Sequence, residues 1–243
     1  MLKTKRDFYS DGYYKGLAKE ARFSEVASIF KNVRGDRLLD VGCGDGDITL
    51  MLKNAMHARE AYGVEISLEA VNDACGKGIL ARQLDIDSEN LPFEANYFDG
   101  AYLGEIIEHV FDPDHLLSET WRVLKKGGVC VLTTPNLAGW PSRLALLFGY
   151  QPYPMAASPS HESVGKLLIT SEQGQWGHIR VMTLRTLREL VTLNRFKIVV
   201  VSGSTGTVKG LSGYAARVIS VVDRLMSTVP SLAVRVVLIL EKV

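Results

Sequence analysis

Three glycines on alternate positions, Gly42, Gly44 and Gly46, stand among the acids Asp40, Asp45 and Asp47 at the end of a short apolar run, Leu38-Leu39-Asp40-Val41. Glycine lets a backbone take positive φ, or approach a ligand, where a Cβ would collide. A strand that opens through such a turn into a helix N-terminus can hold a nucleotide-like molecule. The spacing departs from the G-x-G-x-x-G of dinucleotide sites. Acids crowding the turn would also repel a diphosphate resting on the helix dipole, whereas a cationic or zwitterionic ligand tolerates them. Glu65 ends the next apolar run, where a doubly wound fold places the acceptor for the two hydroxyl protons of a ribose. Cys43 could be a nucleophile, but between two glycines it reads as a small residue that fits.

These groups need elements to carry them, and the patterning supplies strands alternating with helices. Phe23, Val26, Ala27, Phe30 and Val33 recur at helical spacing ahead of the glycines, and Ile48 to Leu52 begins a helix after them. Strands are expected at 61–66, 79–86, 98–103 and 129–133. Ser67 caps a helix that closes at Gly76 and Gly78. Asp112-Pro113 opens another, with Lys125-Lys126 in its last turn and Gly127-Gly128 ending it. Thr183 caps a later helix, followed by a strand at 196–201, a flexible stretch at 202–213, a helix from Tyr214 to about Ser227 and a last strand at 234–240. This alternation predicts an α/β fold, a doubly wound sheet with helices on both faces.

The string Asp40-Val41-Gly42-Cys43-Gly44-Asp45-Gly46 resembles the first motif of the class I S-adenosylmethionine (SAM)-dependent methyltransferases. Leu91-Pro92-Phe93-Glu94-Ala95-Asn96-Tyr97-Phe98-Asp99 is similar to a structural stretch of that family, and Ile106-Ile107-Glu108-His109-Val110 to the segment that flanks its methyl group. Gly177-His178-Ile179-Arg180 with Thr183-Leu184-Arg185-Thr186-Leu187 resembles the ubiquinone-biosynthesis and related O-methyltransferases. The resemblance implies a Rossmann-like, mostly parallel sheet with an antiparallel last strand. It implies SAM as cofactor, S-adenosyl-L-homocysteine as product, and direct displacement at the sulfonium methyl. In that picture Asp40 and the turn Gly42, Cys43, Gly44 and Gly46 serve the amino-acid end, amide N–H groups facing its carboxylate. Carbonyls near Gly42 and Gly104 face its ammonium, and Glu65 takes the ribose. Asp85 takes the adenine amine, with Asp87 as the alternative, and Ile66 and Ile86 lie on the two ring faces. The Asn-Pro-Pro-aromatic signature of DNA-base methyltransferases is missing after the fourth strand.

Residues 136–178 break the rhythm and read as a lid or substrate-binding insertion, aromatic and apolar, with one short helix at 141–148. Three histidines are candidates for a general base: His109 beside the methyl by resemblance, His161 within the insertion, and His178 where it rejoins the core. Arg143, Lys166 and Arg180 could hold an acidic group on the acceptor. Tyr13 or Tyr14, in an N-terminal cap of about residues 1–33, could close over the cofactor. The 243 residues suit one domain spanning 1–243. A net charge of +1 with no basic run gives no expectation of nucleic acid. Three cysteines without ligand spacing suggest neither a metal nor a disulfide framework, and with no apolar leader or spanning segment they point to the cytoplasm. The function expected is methyl transfer, O-methylation foremost, to a lipid-like or phenolic small molecule. A protein or RNA acceptor, and a SAM-binding protein without catalysis, are the alternatives.

Overall fold

Four consecutive buried residues, Leu38 to Val41, make the centre of the sheet. A strand hidden on both faces has no polar side to show, which is the signature of a parallel strand covered by helices. In the computed structural model, which describes residues 21–158, 161, 163–167, 177–206 and 213–243, this strand is β1 (Arg37–Val41). Helix α1 (Ala21–Phe30) precedes it. Then follow α2 (Asp47–Met56), β2 (Glu60–Glu65), α3 (Leu68–Gly76), β3 (Leu80–Gln83), β4 (Phe98–Gly104), α4 (Pro113–Val123) and β5 (Leu124–Pro135). After α5 (Trp140–Leu147) come α6 (Leu184–Leu193), β6 (Phe196–Ser204), α7 (Gly213–Ser227) and β7 (Arg235–Lys242).

The seven strands lie in the order β3-β2-β1-β4-β5-β7-β6. β1 to β5 pair in parallel, and β7 runs antiparallel to both β5 and β6. The closing antiparallel pair and the Rossmann-like sheet are as expected. Successive side chains of β1 feed opposite faces. Leu38 joins Phe30, Leu52 and Ala74 from α1, α2 and α3. Leu39 joins Leu116 and Val123 from α4 and Leu187 and Val191 from α6. The chain turns outward in opposite directions on either side of β1, to β2 and to β4. Ligands of such sheets bind outside the carboxyl ends of the strands at this switch point.

Local caps explain the boundaries. The Ser67 hydroxyl accepts from the Ala70 N–H and opens α3. Asp112 accepts from the His115 N–H with Pro113 in the first turn of α4, and Thr183 accepts from the Thr186 N–H to open α6. Three expectations are corrected. Helix α4 stops at Val123, because Leu124 is already extended (φ −70°, ψ 145°) and pairs with Phe98. The Lys125-Lys126-Gly127-Gly128 segment therefore belongs to an irregular start of β5, and Lys125 pairs with Asp99 instead of the helix dipole. β3 is shorter than expected and leaves Asp85 and Ile86 beyond its end. Residues 202–204 of the stretch expected to be flexible extend β6 against β7, and 207–212 lie outside the described residues. Tyr13 and Tyr14 lie outside them too. The Leu91–Asp99 stretch is structural, as expected: Phe93, Tyr97 and Phe98 pack edge-on around Tyr62, with Phe98 and Phe93 centroids 4.9 Å apart.

Candidate functional site

Beyond Val41 the backbone takes positive φ at all three glycines, 81° at Gly42, 51° at Gly44 and 81° at Gly46. Gly46 caps α2 in the left-handed region. A Cβ there would lie 2.9 Å from the Cβ of Ala74, so the turn is closed against α3. On the other side a Cβ on Gly42 would lie 2.8 Å from Ile106 Cδ1, which brings the loop after β4 directly onto the glycines.

The turn is sewn to β2. The N–H groups of Gly42 and Cys43 donate to the Val64 carbonyl (2.8 and 3.2 Å), that of Gly44 to Glu65 Oε2 (3.1 Å), and that of Gly46 to the Cys43 carbonyl (3.0 Å). This corrects the expectation that these amides stand open to a carboxylate. A left-handed turn needs internal hydrogen bonds to hold it, and these four N–H groups supply them. Cys43 contributes backbone only: its thiol is buried against Gly63, and burial pushes its pKa up.

Two carboxylates are fixed here. Asp40 is 2% exposed and takes a 2.6 Å hydrogen bond from the Thr49 hydroxyl. Burial, with the charge of Glu65 adding to it and the Thr49 bond opposing it, pushes Asp40 up to about 7. Glu65, buried at the end of β2, accepts N–H groups from Gly44, Ile66 and Ser67 at 3.1, 2.8 and 3.0 Å. Its head is thereby locked beside the glycine turn. Beyond β3, Asp87 Oδ1 accepts from the N–H groups of Phe111 (2.7 Å) and Asp112 (3.3 Å), tying this loop to the start of α4. Asp85 Oδ1 accepts from the Asp87 N–H at 3.1 Å. Ile66 is half-buried, whereas Ile86 is drawn into the core with Leu84 and Leu91.

The loop after Gly104 carries a second group of side chains. Glu105, at φ 54°, forms a two-point pair with Arg235 at the head of β7, with contacts of 2.6–2.9 Å. Glu108 is fully buried, and its Oε2 accepts from the Thr134 hydroxyl of β5 at 2.9 Å. Burial, and secondly the charge of Glu105, push Glu108 up to about 8. Its carbonyl accepts the N–H groups of Ile179 (2.7 Å) and Arg180 (3.1 Å), which pins the end of the insertion to this loop. His178 is thereby placed with its ring 4.7 Å from that of His109, in an edge-on arrangement. Its Nδ1 lies 2.7 Å from the Pro154 carbonyl, and its Nε2 lies 4.0 Å from Glu108 Oε1. Burial lowers the His178 pKa, favouring the neutral ring.

So the fold brings together His109 and His178, which are far apart in sequence, and leaves His161 exposed. It adds Glu108, Thr134 and the Glu105–Arg235 pair, which the sequence reading did not place in the site. The signal was present for Glu105 and Glu108, which stand in the stretch Gly104 to Val110 that carries His109. Two of the cations suggested for an acidic acceptor are anchored to backbone: Arg143 donates to the Ala138 carbonyl (2.6 Å) and Arg180 to the Phe111 carbonyl (2.7 Å).

Comparison with known proteins places this geometry. The family model described as "Methionine biosynthesis protein MetW" matches residues 21–158, more than half of the chain. The O-methyltransferase rstn1 of Aspergillus nomiae is 29% identical over 159 residues, covering 63% of this chain and 70% of that protein. A demethylmenaquinone methyltransferase of Bacillus cytotoxicus is 34% identical over 135 residues, covering 52% of this chain and 57% of that protein. Among solved structures, a putative methyltransferase in complex with the Haloferax volcanii Trm112 methyltransferase activator superposes with TM-score 0.67. It shares 17% identity and covers 100% of this chain and 99% of its own.

Proposed function

We propose, since the chain belongs to the MetW family and is a class I SAM-dependent methyltransferase, that it methylates a hydroxyl of a small lipid-like or phenolic molecule. One observation carries this reading: the loop that packs on the glycine turn through Ile106 also carries His109 to His178 and Glu108. An acceptor seated beside the cofactor would meet the partly exposed imidazole of His109, backed by His178 and the buried Glu108, which suits a hydroxyl.

In this reading Asp40 and the turn of Gly42, Cys43, Gly44 and Gly46 form the wall at the amino-acid end of SAM, with the carbonyl of Gly104 facing its ammonium. Glu65 accepts from the ribose hydroxyls. Asp85 takes the adenine amine in preference to Asp87, whose carboxylate already binds two N–H groups of the next loop. Ile66 flanks the ring, and Ile86 supports it from the core. SAM supplies an activated methyl when bound. Positioning of well-aligned reactants can contribute about 7–11 kcal/mol to such a reaction. The acceptor's oxygen–carbon bond forms as the sulfur–carbon bond breaks, S-adenosyl-L-homocysteine leaves, and the hydroxyl proton departs through the His109–His178–Glu108 cluster to water. The relatives printed as O-methyltransferases support O-methylation, and the near-neutral sequence without a long basic run gives no support to a nucleic-acid acceptor.

Thermal melts test the cofactor half. SAM and S-adenosyl-L-homocysteine should each raise the melting temperature, a ligand at 100 times its Kd adding about 2.7 kcal/mol. Glu65→Ala should abolish that rise, and a response to NAD alone would overturn the assignment. For the acceptor half, a panel of phenols and prenyl alcohols with methyl-labelled SAM should yield a labelled ether. The double variant His109→Ala/His178→Ala should keep the SAM-induced shift and lose turnover; retained turnover would remove the cluster from the reaction.

A further inference from the structure

We infer that Glu108, His109 and His178 form a binding site for a divalent first-row transition metal ion. One potential ligand atom from each residue lies within 4.8 Å of the others, two imidazole nitrogens and one carboxylate oxygen. Zn–N and Zn–O bonds of about 2.0–2.2 Å would require these donors to close by about an ångström, a side-chain adjustment. A mixed nitrogen–oxygen set suits Zn²⁺, Co²⁺, Fe²⁺ or Mn²⁺; the hard Mg²⁺ and Ca²⁺ prefer oxygen alone.

Two further features point to a ligand. Glu108 is fully buried, and among the described residues no donor meets its Oε1. An orphaned buried acceptor is costly, and this one is directed at the imidazoles. The His178 Nε2 at 4.0 Å is too distant to satisfy it by a direct hydrogen bond. An ion between them would satisfy both. The second feature is the outer shell. A carbonyl can only accept, so the 2.7 Å contact with Pro154 places the proton of a neutral His178 on Nδ1 and its lone pair on Nε2, facing Glu108. The Thr134 hydroxyl orients the opposite oxygen of Glu108. Metal ligands are oriented by such partners, a histidine by its second nitrogen on a carbonyl and a carboxylate by a hydrogen bond.

Three protein ligands leave coordination positions for an exogenous oxygen, as in open catalytic sites. The role of the ion rests on the methyl-transfer reading above: it would hold the acceptor's hydroxyl and make its proton easier to lose, the proton then passing to water because the ligating atoms of the cluster are taken. Binding of the ion does not rest on that reading.

The full chain, stripped with a chelator, is dialysed against Zn²⁺ and against Co²⁺, and bound metal is counted. One ion per chain is expected, with visible Co²⁺ absorption of a nitrogen–oxygen site. Glu108→Gln and His109→Ala should each abolish stoichiometric binding. Thr134→Val should weaken it by about 10–100-fold, as loss of outer-shell partners does. A retained SAM-induced melting shift certifies that each variant is folded; His109 is only partly buried, so its variant stands in if Glu108→Gln fails to fold. No bound ion in the wild type, or equal binding in the folded variants, overturns the site. Methyl transfer by rigorously metal-free protein overturns its role alone. A metal-loaded chain with no response to SAM would instead sink the methyl-transfer reading and leave the site standing.

Discussion

Asp40 makes the stability of this fold depend on pH in a direction opposite to most carboxylates. Its side chain is 2% exposed, and its named partners are the Thr49 hydroxyl and, electrostatically, Glu65. Burial pushes its pKa from 3.8 to about 7. Between those values the native state holds a proton that the unfolded chain has released, so stability must fall as pH rises through the window. Below pH 4 both states are protonated and the contribution is complete; above about 7 it is lost. Three units at about 1.36 kcal/mol each give roughly 4 kcal/mol, an upper figure for a carboxyl that water can reach on relaxation. That is a large share of the roughly 5–15 kcal/mol that holds a domain together. Asp40→Asn keeps an acceptor for Thr49 and removes the ionisation. Urea unfolding of both proteins at pH 5 and pH 8 isolates the effect. Of that window only the part from pH 5 to about 7 falls between the two measurements, so the variant should gain about 2–3 kcal/mol on the wild type. A difference between the two proteins that stays constant with pH would refute the reasoning, since Asp40 would then titrate alike folded and unfolded.

Two packing predictions are smaller in scope. A Cβ at Gly63 would lie 2.5 Å from Cys43 Sγ, so Gly63→Ala should destabilise by about 1–3 kcal/mol. Adding Cys43→Ala removes the sulfur but leaves its Cβ 2.9 Å away, so it should recover part of that, and a denaturant double-mutant cycle without coupling would show that the two do not share this space. Ser67→Ala removes the cap of α3 and should cost about 0.5–2 kcal/mol. The N–H groups of Ile66 and Ser67 that orient Glu65 belong to the backbone and survive this substitution, so the SAM-induced melting shift should stay unchanged; a weakened shift would extend the role of Ser67 beyond the helix.

What could be read from the residues was what local chemistry fixes. Ser67, Asp112-Pro113 and Thr183 cap their helices because each side chain bonds an N–H three residues on, a decision taken within one turn. Gly42, Gly44 and Gly46 take positive φ because they have no Cβ to oppose it, which is also decided within the turn. Lys125 to Gly128 misled because basic residues followed by glycine suit a helix end, while the deciding interactions were distant: Leu124 pairs with Phe98, and Lys125 with Asp99. Amides expected to face a ligand were claimed by Val64 and Glu65, again across strands. Propensity is local, and sheet pairing overrides it.

The same division separates the two halves of the site. The proposed cofactor wall is assembled from the ends of β1 and β2 and the turns that follow them, so a string of neighbouring residues reveals it. The proposed acceptor side is assembled by the Glu108 carbonyl, which holds Ile179 and Arg180 and so delivers His178 across the length of the insertion. No spacing in the chain announces that contact. Glu108 thus acts twice, its backbone building the cluster and its side chain entering it. A substitution there that preserves the main chain changes the chemistry without dissolving the site. Glu108→Gln is therefore the variant that separates the two roles: the insertion should stay docked, with protease resistance at residues 177–180 unchanged, while the metal is lost. Cleavage in that segment on the same substitution would show that the carboxylate, not the carbonyl, holds the insertion in place.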